Sequence, residues 1–279
     1  MRKITEQTLK DFCIYLTNEE KAPLTIEKYM RDVLNFFTWI SGKRFDKGDV
    51  LRYKRGLLQN YSVTSINSMI SSLNSMFTYC GWYELKIKTY KVQKQMFSSS
   101  EKELAKAEYD RLLHAAKQKK NERLYLLMQT ICSTGIRVSE VCHITVEAVN
   151  RGVAEINCKG KRRQVFLPKQ LCLILNRYIK EQKITSGAVF VTRNGNPLDR
   201  SNIWNDMKKL CEEARVPEKK VFPHNLRHLF ARTYYSLQKD IVRLADILGH
   251  SNVNTTRIYT MESGEIHRMQ IQKLGLLRC

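Results

Sequence analysis

From Thr25 onward Ile26, Tyr29, Met30, Val33, Leu34, Phe37 and Ile40 recur at steps of three and four, and Gly42 ends the run. That spacing lays an apolar stripe along one face of an α-helix. A second run, Val63, Ile66, Met69, Ile70, Leu73, Met76, Phe77 and Cys80, has the same period and stops at Gly81. Between the two, Asp46 is placed to cap a helix carrying Val50, Tyr53, Leu57 and Leu58, and a further helix fits between Thr5 and Asn18. No strand pattern interrupts them, so residues 1–85 are expected to form a small all-helical domain.

The pattern then changes. Lys86, Lys88, Lys91 and Lys94 follow at near-regular intervals, ending in Phe97-Ser98-Ser99-Ser100. Few apolar residues and a serine cluster mark 86–103 as a basic linker. In the second domain, 104–279, helical periods cover 107–119, 122–132, 171–182, 200–215, 224–236 and 240–248. A hairpin is expected from 153–158 and 163–167, joined by the turn Lys159-Gly160-Lys161-Arg162 and followed by Pro168. The fold class is therefore mainly α, with a small antiparallel β-sheet in the second domain.

Charge narrows the function. Lys and Arg number 48 against 27 Asp and Glu, a formal charge of +21 over 279 residues. An excess of that size points to nucleic acid or an anionic membrane surface. No apolar run is long enough to span a bilayer, and the start shows no signal-peptide core, so a cytoplasmic protein that touches nucleic acid is expected. Eight cysteines include no Cys-x-x-Cys pair and mostly sit in apolar stretches, which suits buried thiols in a reducing compartment. The six histidines show no metal-ligand spacing, so no metal or other cofactor is expected. Among the basic and polar residues, Lys28, Arg52, Arg55, Ser65, Asn67, Lys91, Lys161 and Arg162 are the candidates for phosphate contacts, although each alone also suits a solvated face.

Four local features carry chemistry. Ser133-Thr134-Gly135-Ile136-Arg137-Val138-Ser139-Glu140 places an arginine after a glycine break. Lys159-Gly160-Lys161-Arg162-Arg163 is the basic hairpin turn. His224-Asn225-Leu226-Arg227-His228 opens a helix behind Pro223. Leu248-Gly249-His250 precedes Tyr259 by nine residues. Each alone is an ordinary surface or core feature.

Their joint order, Arg…Lys…His-x-x-Arg…Leu-Gly-His…Tyr, resembles the tyrosine recombinases of the phage integrase family, over essentially the whole chain. With no additional amino-terminal arm-binding domain, the chain looks like the short Xer-type or transposon-borne members. The resemblance implies a helical, SAM-like core-binding domain (1–85) and a catalytic domain (104–279) that together clamp duplex DNA. It implies Arg137, Lys159, His224, Arg227 and His250 as catalytic residues and Tyr259 as nucleophile. It also implies recombination between inverted half-sites in a homotetramer, alone or with a partner recombinase, with the tail 264–279 docking on a neighbouring protomer. One departure is Gln238, aligned where many members carry a glycine; a positive φ there would strain it.

The chemistry agrees with these residue types. A tyrosine oxygen can attack phosphorus and store the broken phosphodiester as a 3′-phosphotyrosyl ester, which a 5′-hydroxyl later reverses. Two guanidiniums can hold the non-bridging oxygens as charge builds on them. His224 would serve as base for Tyr259, Lys159 would protonate the leaving 5′-oxygen, and His250 would hydrogen-bond the phosphate. Bond energy is conserved, so neither Mg²⁺ nor ATP is required. The alternatives are a type IB topoisomerase, which uses nearly the same residue set to relax DNA, and a non-catalytic DNA-binding protein.

Overall fold

The computed structural model describes residues 1–92, 102–158, 161–192, 194–259 and 272–274. The chain forms two compact units, Met1–Lys94 and Gln95–Cys279.

The first unit contains α1 (Glu6–Asn18), α2 (Pro23–Ile40), α3 (Lys47–Gly56) and α4 (Val63–Tyr79). Thr5 and Asp46 each form a capping box, and Ser62 accepts from Ser65 N, so three of the four starts are closed by a side chain. α2 instead starts at Pro23, whose missing N–H costs nothing in a first helical turn. The apolar stripes meet in a core of Phe12, Leu16, Val33, Phe36, Val50, Ile66, Leu73 and Phe77. α2 ends at Ser41, which with φ 52° takes the left-handed cap one residue before the expected Gly42.

Residues 86–90, expected as linker, are stitched to this unit. Asn74 and Asn67 each pair their side-chain amide with a backbone amide, those of Ile87 and Tyr90, in both directions at 2.7–3.0 Å. Ile87 is buried, and Lys54 Nζ sits 3.9 Å over the Tyr90 ring. Side-chain amides two turns apart on α4 thus do the work of a β-partner, a signal that hydrophobic period does not carry.

In the second unit α6 (Glu122–Thr134) is central, packed by α5 (Lys106–Gln118), α8 (Lys169–Glu181) and α10 (Pro223–Gln238). Its buried face, with Leu127, Met128 and Ile131, joins Leu112, Leu175, Ile203, Leu226 and Leu229 in one core. α7 (Val146–Arg151) leads into the antiparallel pair β1 (Val153–Cys158) and β2 (Lys161–Phe166), in register from Val153↔Phe166 to Cys158↔Lys161. Lys161 and Arg162 therefore stand in β2, not in the turn; the ladder runs two residues further than the expected four-residue loop.

α9 covers Arg200–Lys208, shorter than the expected 200–215. Beyond it the bonds tighten to i→i+3, Leu210 N to Met207 O and Cys211 N to Lys208 O, and Arg215 turns left-handed (φ 49°) before Pro217. α11 (Ile241–Leu248) and α12 (Val253–Thr256) follow. The strain expected at Gln238 is absent. It ends α10, and Lys239 takes the positive φ, 55°.

Candidate active site

Arg137, Arg227, His250 and Tyr259 are brought together by the ends of α6, α10, α11 and α12. Gly135 closes α6 with φ 64°, and a Cβ there would lie 2.5 Å from the Phe230 ring, so both conformation and space require glycine. The chain then turns and presents Arg137 at the start of the 3₁₀ segment Val138–His143. Arg137 is held by Glu140: its backbone N–H donates to Oε2 at 3.0 Å and Nη1 to Oε1 at 2.9 Å. Its Nη2 donates to Gly249 O at 3.2 Å, and the side chain stays 37% exposed, free to meet a ligand.

Arg227 is only 2% exposed. Its fork donates to Gly135 O at 2.6 Å and Leu248 O at 2.7 Å, joining the end of α6 to that of α11. Burial first, and then the charge of Arg137, lowers its pKa to about 10, which leaves it cationic at neutral pH. Arg227 and Tyr259 line the same cavity.

His250 follows Gly249, which caps α11 at φ 64°. Its Nε2 lies 3.0 Å from Arg227 Nη2, and its Nδ1 2.8 Å from Thr256 Oγ1. Burial, with Arg227 and Arg137 nearby, lowers its pKa to about 4. The ring is therefore neutral, Nε2 accepts from Arg227, and the proton resides on Nδ1, facing Thr256. His224, at the exposed start of α10, also has its pKa held below the usual histidine value, by partial desolvation and then by the charges of Arg227, Arg200 and Arg137.

Tyr259 ends the 3₁₀ turn Arg257–Tyr259 and is 3% exposed, packed with Ala231, Leu244 and Leu248. Its ring meets His228 edge-on at 4.4 Å, stacks parallel to His250 at 5.8 Å, and lies 6.4 Å from His224. A cavity of about 650 Å³ opens onto Arg137, His224, Arg227, His250 and Tyr259, with Arg200 and Trp204 at its side.

Five of the six residues named from sequence thus share one cavity. Lys159, the sixth, lies outside the described residues, and so does most of the 264–279 tail. Three participants escaped the sequence reading. Glu140 is buried, yet the N–H of Arg137 and the guanidiniums of Arg163 and Arg137 outweigh desolvation and hold its pKa below the usual glutamate value. Arg163 and His228 are the others; the latter's pKa is pushed down to about 3, first by burial and then by His224. Glu140 was visible as the third residue after Arg137, the capping-box spacing.

The candidate DNA contacts divide. Lys28 Nζ is occupied by buried Asp32 at 2.5 Å and by Ser72 Oγ at 3.1 Å. Asn67 holds Tyr90, Ser65 bonds the α4 cap Ser62, and Arg52 pairs with Asp49. Arg55, Lys91 and Arg162 are exposed. The described cysteine side chains are half-buried and free, not fully buried as expected, because they flank the helical stripes without reaching the core centre. Burial still raises the Cys80 thiol to about 11. Among the described residues no cluster of His, Cys, Asp or Glu is placed to hold a metal, and no helix is long and apolar enough to cross a membrane.

The phage integrase family matches residues 102–265, and the phage integrase N-terminal SAM-like domain matches 9–82. The chain belongs to the phage integrase family and is a tyrosine recombinase. It is 30% identical to the tyrosine recombinase XerA of Thermococcus kodakarensis, covering 97% of this chain and 96% of that one. It is 29% identical to XerA of Pyrococcus horikoshii, covering 98% and 95%. A lambda integrase dimer bound to a core site shares the fold at TM-score 0.77 and 15% identity, covering 93% of this chain and 96% of that one.

Proposed function

We propose that this site-specific recombinase cuts and rejoins duplex DNA with Tyr259 as its nucleophile. The observation that carries the assignment is the buried Tyr259 in a cavity shared with Arg137, Arg227 and His250. A phosphodiester entering there meets two guanidiniums, one fixed by backbone carbonyls and one fixed by Glu140. Fixed donors stabilise the charge that develops on five-coordinate phosphorus without reorganising. Neutral His224 is available to take the phenolic proton. Lys159 protonates the departing 5′-oxygen. In the free site His250 Nε2 is an acceptor, so its contact to phosphate requires the proton to move from Nδ1 or a second proton to arrive.

The substrate is double-stranded DNA with inverted half-sites, bound in the cytoplasm by a homotetramer or with a partner recombinase. The charge of +21, the two-unit plan with a basic linker, and the DNA-bound relatives of the same fold support this. Arg55, Lys91, Lys161 and Arg162 are the phosphate contacts we retain. The test is a denaturing gel of protein mixed with a labelled, nicked duplex carrying a site selected from random DNA. A covalent protein–DNA band supports the reading, and its absence on every selected site refutes it.

A further inference from the structure

We propose that Arg163 is a positioning residue for strand cleavage, acting on the catalytic phosphate site through Glu140; this rests on the function proposed above. Arg163 stands in β2 opposite Ile156, yet its side chain reaches across the unit. Nη2 donates to Glu140 Oε2 at 2.5 Å and Nη1 to Ile247 O at 2.7 Å. The side chain is 14% exposed, and Glu140's is 7%. Glu140 uses its other oxygen on Arg137 Nη1, so a single carboxylate bridges a solvent-facing guanidinium and a covered one.

The rest of the Arg163 side chain runs against Gly249. A Cβ on Gly249 would lie 2.4 Å from Arg163 Cδ and 2.8 Å from Nε. Gly249 O is in turn the second acceptor of Arg137, and the next residue is His250. Arg163 therefore contacts both groups that fix Arg137, the carboxylate and the α11 terminus. Without its charge, Glu140 keeps one cation in place of two, and its tie to the α11 end is lost. Arg137 then samples more than one position. Misplacement of a charge-stabilising group by about 1 Å is enough to slow a reaction by orders of magnitude while binding survives. Lysine carries the charge to Glu140 but has no fork with which to hold Ile247 O as well.

The experiment measures covalent adduct formation at saturating nicked duplex, DNA affinity and thermal melting for wild type, Arg163→Gln and Arg163→Lys. A duplex with sulfur at the 5′-bridging position is added to bypass leaving-group protonation. We expect Arg163→Gln to bind DNA as wild type does but to cleave at least about tenfold more slowly. Arg163→Lys should recover most of that rate, and bridging sulfur should not restore the Gln variant. Wild-type cleavage by Arg163→Gln overturns the proposal. So does rescue by sulfur, which would route the residue through the hairpin lysine, and so does loss of folding in both variants, which would make it a core brace. Absence of any wild-type adduct fails the underlying function instead.

Discussion

Arg227 Nη2 and His250 Nε2 lie 3.0 Å apart, a cation facing an imidazole kept neutral first by burial and then by that cation. His250 and His228 have pKa values lowered to about 4 and about 3 from 6.5. The folded state thus binds fewer protons than the unfolded chain below pH 6.5. The stability these rings contribute is present above pH 6.5 and is lost as pH falls toward 4 and 3. Allowing for solvent screening, each should cost about 1 kcal/mol by pH 5. Urea midpoints at pH 7 and pH 5 measure this, and His228→Gln should flatten the difference.

Arg137 and Arg227 should fail differently. Arg137→Ala removes a half-exposed side chain and should leave melting nearly unchanged while cleavage falls about a hundredfold or more. Arg227→Ala also strips two carbonyls of their buried donor, each worth about 1–3 kcal/mol, so melting should fall with activity. Equal melting of the two variants would contradict this structural role for Arg227.

Gly249→Ala should be costly twice over. Its φ of 64° disfavours a Cβ, and that Cβ would collide with Arg163. We expect a loss of about 1–3 kcal/mol, with cleavage reduced beyond what the lost stability explains. Chemical denaturation beside single-turnover cleavage separates the two effects.

Among the basic residues of the first unit, Lys28→Ala should lower stability by about 2 kcal/mol, because it leaves buried Asp32 without its cation, held only by the Ser72 hydroxyl. Arg55→Ala should leave stability unchanged and reduce the slope of log affinity against log salt by about one phosphate contact. Melting curves and salt titrations of the two variants check the pair.

Hydrophobic period carried most of the helices, since α2 and α4 bury the stripes that Val33 and Leu73 announce. The proposed catalytic residues were legible through order along the chain, and the fold brings Arg137 and Tyr259 to one cavity across 122 residues. What escaped was whatever depends on one side chain reaching another element. Asn67 and Asn74 holding 86–90, Lys28 turned inward to Asp32, and Arg163 crossing to Glu140 have no periodic signature. Nor does hydrophobic period announce the burial of Tyr259, which follows from the 3₁₀ turn at Arg257–Tyr259 packing against α10.

The central claim is that Tyr259 forms the phosphotyrosyl bond. Tyr259→Phe keeps the ring among His228, Leu244 and Leu248 and loses only the buried hydroxyl, at a cost of about 1–3 kcal/mol. Folding and DNA affinity should survive. The decisive measurement is the covalent band on a labelled, nicked duplex, with the DNA-linked peptide identified by mass spectrometry. We expect wild type to give the band with the DNA on the peptide carrying Tyr259, and Tyr259→Phe to give none. A band from the Phe variant, or wild-type DNA on the peptide carrying Tyr234 and Tyr235, would contradict the account.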